Sequence, residues 1–127
     1  MKDIGHHITA NCLAIAQIEI QMDEMAWEGY DDATFSAIQI AVELAVKNAS
    51  TTLPGVHLVS FDAIELSQER MENTLIYQLH LKAVHKTSID TQALYGIAVA
   101  GVSLRQLVGP KGQLNVGAPK IIKSKNP

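Results

Sequence analysis

His57 is the residue best placed to do chemistry. It follows Pro54-Gly55-Val56, just past the end of a helix, where a side chain can reach a cleft, and an imidazole titrates near neutral pH. A lone histidine is more often a surface or hydrogen-bonded residue, so His57 alone does not specify a reaction. Lys47 lies one helical turn after Glu43, and a Glu-to-Lys pair at that spacing is worth a few tenths of a kcal/mol. Its ordinary role is therefore structural. His6, His7, His80 and His85 have no carboxylate or thiolate partner at ligand spacing, which argues against a metal site. Cys12 is the only cysteine, so an internal disulfide and a cysteine zinc site are excluded. Gly109-Pro110-Lys111-Gly112 is not a phosphate-binding glycine loop, and no strand-turn-helix serine elbow is present.

The elements that must position these groups follow from periodicity. Cys12–Met22 alternates, with Ala14, Ala16, Ile18, Ile20 and Met22 set against Ile15, Gln17, Glu19 and Gln21, as a half-buried strand does. Asp23–Tyr30 reads as an acidic connection whose Trp27 and Tyr30 cover a core edge. Asp31 or Asp32 caps a helix to about Ser50, with Phe35, Ile38, Val42, Ala45 and Val46 on its apolar face. Thr51, Thr52 and Pro54 end it, because the residue before proline avoids helical geometry.

A strand over Val56–Leu66, a polar turn around Glu69, Arg70, Glu72 and Asn73, and a clear strand over Thr74–Lys86 come next. Asp90 opens the last helix, where a carboxylate favours the free N–H groups of the first turn. Leu94, Ile97, Gly101, Leu104 and Val108 form its buried stripe. Its small residues permit close approach to a sheet or to another subunit. A short strand over Val116–Ile122 closes the chain, between a loose start (residues 1–9) and a loose end (124–127). The order strand-helix-strand-strand-helix-strand is that of a ferredoxin-like α+β fold in a single domain, an antiparallel sheet with two helices on one face. That superfold hosts many activities and does not name one.

Composition narrows the class. A chain of 127 residues, 47% hydrophobic and 18% charged, can bury a core and is not disordered. No apolar run reaches the roughly 18 residues needed to span a bilayer, and the first residues carry no apolar signal core. The expectation is a reduced, cytoplasmic protein with no membrane partner. The net charge of −3 is unevenly placed: Glu19, Asp23, Glu24, Glu28, Asp31, Asp32 and Glu43 precede any nearby base, and from Arg105 onward there are bases and no acid. Such asymmetry suits docking between copies or an anion site. With 5% aromatic residues and no dense basic patch, nucleic acid is not an expected partner.

Two blocks carry a family resemblance. Lys47 with Leu53-Pro54-Gly55-Val56-His57, and Lys86-Thr87-Ser88-Ile89-Asp90-Thr91-Gln92-Ala93-Leu94, resemble cyclic pyranopterin monophosphate synthase, the molybdenum cofactor biosynthesis protein C family. That family shows Ala-Ala-Lys on a helix, then Ile-Pro-Leu-Cys-His-Pro, then Thr-Gly-Val-Glu-Met-Glu-Ala-Leu entering the last helix. Setting Lys47 on the family lysine sets Pro54 and His57 on the family proline and histidine without a gap. The resemblance spans roughly residues 30–123. It implies a ferredoxin-like fold, a homo-oligomer (a hexamer built from dimers, or its dimeric building block) with sites between subunits, and no cofactor. It also implies a reaction that rearranges a cyclised dihydroguanosine triphosphate and releases pyrophosphate. Lysines and the histidine would hold the triphosphate, and an aspartate and a lysine near the end of the last helix would move protons.

The sequence departs from that pattern where the protons move. The family aspartate falls on Gln106 and the family lysine on Gly109. The two family glutamates fall on Asp90 and Gln92, and Lys-Gly-Asp before the first helix becomes Asp31-Asp32-Ala33. The tail is reduced to Lys123-Ser124-Lys125-Asn126-Pro127, with Lys111 or Lys125 as potential substitutes. The resemblance thus implies Lys47, His57, Lys86, Asp90 and Gln92 as residues for an anion, a purine nucleotide or a pterin, on a scaffold whose catalysis is lost or altered. Two other readings stand beside it: an active lyase with relocated acid–base groups, and a purely structural oligomer.

Overall fold

The computed structural model describes residues 10–126; the expected loose start, with His6 and His7, lies outside the described residues. The elements are β1 (Ala10–Met22), α1 (Glu24–Glu28), α2 (Asp32–Lys47), α3 (Ala49–Thr52), β2 (Ala63–Met71), β3 (Thr74–His85), α4 (Asp90–Val108), β4 (Leu114–Val116) and β5 (Lys120–Lys125). The sheet runs β2-β3-β1-β4, with β5 also pairing β1, and every pairing is antiparallel. Two long helices on one face of this sheet make the ferredoxin-like α+β arrangement that the element order implied.

Alternation builds the core. The even positions of β1 from Cys12 to Met22 and the odd positions of β3 from Leu75 to Ala83 are buried, facing Ile38, Val42 and Val46 of α2 and Ile97, Leu104 and Val108 of α4. Each such side chain contributes about 1.5–3 kcal/mol of burial. The small residues of α4 act inside the chain. A Cβ at Gly96 would stand 2.5 Å from Leu79 Cδ2 and 2.7 Å from Val46 Cγ2, so glycine sets how closely α4 approaches α2 and the sheet.

Caps define the helix starts. Asp31, not Asp32, caps α2: its carboxylate accepts from the Thr34 N–H and the Thr34 hydroxyl, both at 2.8 Å. These bonds hold its carboxyl below the usual range. Asp23 caps α1 through the Ala26 N–H, so part of the expected connection is helical. Trp27 and Tyr30 pack edge to face at 6.1 Å against the core, and Arg70 stacks 3.9 Å over the indole. The Tyr30 hydroxyl meets the buried Tyr77 hydroxyl at 2.7 Å.

Three boundaries differ from expectation. β2 begins at Ala63, because the last ladder bond to β3 is the Asp62 N–H to the Lys82 carbonyl. Val59 and Phe61 turn inward to close the core instead of alternating. The α2 helix ends at Lys47, and Asn48 starts a separate short turn, α3. The expected last strand is split in two by Gly117-Ala118-Pro119, since proline cannot donate to a ladder. β5 then runs to Lys125, so Ser124 and Lys125, expected as a loose end, belong to the sheet.

Candidate functional site

A hollow of about 230 Å³ forms where the loop after α3 meets the start of α4, lined by Gly55, Val56, His57, Thr87, Ser88, Thr91 and Gln92. Leu53 ends α3, and Gly55 at φ +74 turns the chain so that His57 reaches this edge. Across the hollow, β3 ends at His85 and Thr87–Ile89 lead into α4. His85 Nδ1 accepts from the Thr87 N–H at 3.1 Å, with the Thr87 hydroxyl 2.9 Å away. A backbone N–H can only donate, so this nitrogen is an acceptor and the neutral ring carries its proton on Nε2. The His57 and His85 rings lie 6.2 Å apart, centroid to centroid.

Gln92 is the distinctive group. It is 3% exposed and, among the described residues, the only amide or charged side chain that is buried. Its Oε1 is buried with no hydrogen-bond partner. An acceptor left in that state costs about 1–3 kcal/mol, so the fold maintains an unused acceptor on a residue that also lines the hollow. The lining carries hydroxyls, an imidazole and an amide, and no Lys, Arg, Asp or Glu. It is a neutral, hydrogen-bonding surface. Its volume is below the roughly 300–1,000 Å³ of a drug-sized pocket, a size for a ring system rather than a whole nucleotide.

The remaining sequence-derived residues lie elsewhere. Asp90 accepts from the Ser124 hydroxyl through both carboxylate oxygens, at 2.7 and 2.9 Å, while its own N–H donates to Ser88 Oγ at 3.1 Å. Lys47 pairs with Glu43 at 3.1 Å, both side chains more than half exposed, and is not among the residues lining the His57 hollow. Lys86 is exposed between β3 and α4. Lys111 lies across Gly29, its Nζ 3.5 Å from the Gly29 carbonyl, and Lys125 lines a different hollow with Asp62 and Lys82. The Asp31 carboxylate already fills the N-terminus of α2, where an anion would otherwise sit.

Gln106 is exposed and lines a hollow between the outer faces of α2 and α4, with Ala37, Ala41 and Val102. From Gln92 to Gln106 the helix rises about 21 Å at ~1.5 Å per residue. One copy therefore cannot bring both ends of α4 to one small ligand. Gly109 continues the helical path with its N–H on the Arg105 carbonyl, and a Cβ built there collides with that same carbonyl oxygen. Among the described residues, no three His, Cys, Asp or Glu side chains come together as a metal-ligand set, and no helix is long and apolar enough to cross a membrane.

Sequence reasoning missed two features. The Ser124–Asp90 contact links positions far apart in the chain and has no local signal. The lining hydroxyls of Ser88 and Thr91 resemble ordinary helix-start residues and stand out only beside Gln92.

The MoaC family model matches residues 1–109. Proteins named probable cyclic pyranopterin monophosphate synthase are similar over most of the chain. The one from Pyrococcus furiosus is 25% identical, covering 85% of this chain and 73% of its own length. The one from Methanosarcina mazei is 26% identical with the same coverage. A third, from Methanosarcina acetivorans, is 27% identical over 58% of this chain and 47% of its own length. A family match over most of the chain, on a fold whose last helix and preceding loop build the hollow, settles the membership: the chain belongs to the MoaC family.

Proposed function

We propose that this chain acts in molybdenum cofactor biosynthesis as a MoaC-family protein that binds a pterin or the base of a purine nucleotide without turning it over. The observation that carries the reading is Gln92, a residue that lines a ring-sized hollow and whose buried Oε1 has no hydrogen-bond partner. The ring N–H and amino groups of a pterin or guanine are the donors that such an acceptor lacks. His57 and Thr91 line the same hollow. The names of the similar proteins support the substrate class.

Loss of turnover rests on proton transfer. Asp90 is engaged by Ser124, Gln106 is neutral, and Gly109 has neither a side chain nor room for one. A general acid or base typically contributes about 10²–10⁴-fold in rate. The chain self-associates in this reading. A ligand extending from the hollow would reach Lys86 of the same copy, or Lys47 of a neighbouring one, for its charged end.

The experiment is a thermal-shift titration with a pterin, guanosine triphosphate and pyrophosphate. Pterin and the nucleotide should raise the melting temperature by binding linkage, and Gln92→Leu should remove the shift. No shift with any of the three would sink the proposal.

A further inference from the structure

β2 (Ala63–Met71) pairs only with β3, so its outer edge is free. Met71 faces Thr74 across the two-residue turn Glu72-Asn73, and the pair that closes such a hairpin is hydrogen-bonded. Counting back in twos, the odd positions of β2 bond to β3. The N–H and C=O groups of Ile64, Leu66, Gln68 and Arg70 therefore point away from the sheet. The Leu66 carbonyl shows this directly, since it accepts from Gln39 Nε2 of α2 at 3.3 Å. Exposed edges are commonly guarded by lysine or proline, and β2 contains neither.

A groove of about 470 Å³ runs beside this edge, lined by Gln39, Ile40 and Glu43 of α2 and by Ile64, Glu65 and Leu66 of β2. The side chains sort by face. Ile64 and Leu66 pack toward the helix layer, and Glu65, Ser67 and Glu69 stand exposed on the other face. Among the described residues neither glutamate is ion-paired. On β3, His80 lies opposite Glu65, and Lys82 opposite Ala63 is the next position along. The other charges at the edge are engaged: Glu43 pairs with Lys47, and Arg70 sits over the Trp27 ring. Asp62, just before the strand, adds a further acid.

We propose that the β2 edge takes an extended peptide of another protein as an additional strand, one with two bases four residues apart on one face and apolar residues on the other. Such a strand bonds to the outward N–H and C=O groups and displaces Gln39 from the Leu66 carbonyl. Bases four residues apart span about 13 Å at ~3.3 Å per residue, the separation of Glu65 and Glu69 along β2. The alternate side chains fall on the groove side, toward Ile64 and the exposed Ile40. A second copy is the poorer occupant. The antiparallel register that pairs all nine residues of two copies is centred on Ser67 and sets Glu65 opposite Glu69 twice, acid against acid. This edge is separate from the His57 hollow and from the ligand proposed there.

The test titrates the full chain into a fluorescein-labelled peptide, Val-Lys-Val-Thr-Val-Lys-Val, and reads anisotropy. Saturable binding is expected, and Glu65→Lys should raise Kd about tenfold. The same peptide with glutamates for lysines should bind wild type far more weakly and recover on Glu65→Lys combined with Glu69→Lys. A peptide N-methylated at alternate residues, which cannot complete the ladder, should not bind. Hydrogen exchange at the Leu66 and Gln68 amides should slow only when the peptide is present. Far-UV circular dichroism confirms that each variant folds. No binding at millimolar peptide overturns the proposal, as does equal binding of the N-methylated peptide or no response to the charge swap. Slow exchange at Leu66 and Gln68 in the protein alone, deepening with protein concentration, would show a second copy on the edge and overturns it too.

Discussion

Replacing Gln92 by methionine should make the protein more stable and less able to bind. Gln92 is 3% exposed and its Oε1 has no partner, so the folded state carries a desolvated acceptor. That penalty is about 1–3 kcal/mol. Methionine is similar in length, adapts to irregular space and has nearly the same helix propensity, so little is lost in exchange. The expected net gain is about 1–2 kcal/mol. For a domain of this size each kcal/mol moves Tm by about 3–6 °C, so the variant should melt roughly 3–12 °C higher. The assay is thermal unfolding by circular dichroism with a guanidinium titration alongside, each with and without pterin. Wild type should gain stability on adding pterin and Gln92→Met should not, a trade of function against stability. A methionine variant as stable as wild type, or less stable, would show that the amide already has its partner in the folded chain and is not held open for a ligand.

Three further outcomes follow from the geometry. Gln106→Asp combined with Gly109→Lys should not restore pyrophosphate release and should lower stability by about 1–3 kcal/mol, because the new Cβ runs into the Arg105 carbonyl; Gln106→Asp alone, on an exposed position, should melt within a degree or two of wild type. Burial pushes the Tyr30 hydroxyl up to about 12 and the Tyr77 hydroxyl higher still. A raised folded-state value means that the stability is whole below the unfolded value near 10 and is lost as pH rises from there through about 12. Tyrosinate absorbance should accordingly show the Tyr30 and Tyr77 hydroxyls ionising above the range of a free tyrosine. Ser124→Ala should free the Asp90 carboxylate and lower the guanidinium midpoint by an amount equal to about 1 kcal/mol or less, the size of an exposed charge-assisted bond.

The fold was legible because β1, β3 and α4 are long and strictly periodic. Alternation from Cys12 to Met22 and from Leu75 to Ala83 states which face is buried, and the α4 stripe names Ile97, Leu104 and Val108 in advance. Short and irregular pieces were not legible. Val56–Phe61 is apolar enough to read as strand, but its residues close the end of the core and have no ladder partner until Asp62. The last strand was misplaced because Pro119 divides it, and the register of each piece depends on β1, a hundred residues away. Of the candidate site residues, His57 and Gln92 line one hollow, a neighbourhood that depends on how the loop after α3 meets α4 and is not visible in their spacing. Lys47 pairs instead with Glu43 one turn before it, the local contact that helical spacing favours. That Gln92 lacks a partner depends on everything around it and cannot be read from the residue itself.

Binding without turnover is the central claim, and one calorimetric cell can test it. The cyclised dihydroguanosine triphosphate would be titrated into the wild-type protein, and pyrophosphate then measured in the same solution. The expected result is a saturable binding isotherm that Gln92→Leu abolishes, with pyrophosphate no higher than in a protein-free control. Pyrophosphate released catalytically by wild type, at a rate comparable to that of a family enzyme, would contradict the account and move the acid–base chemistry to Asp90, Lys86 or Lys111.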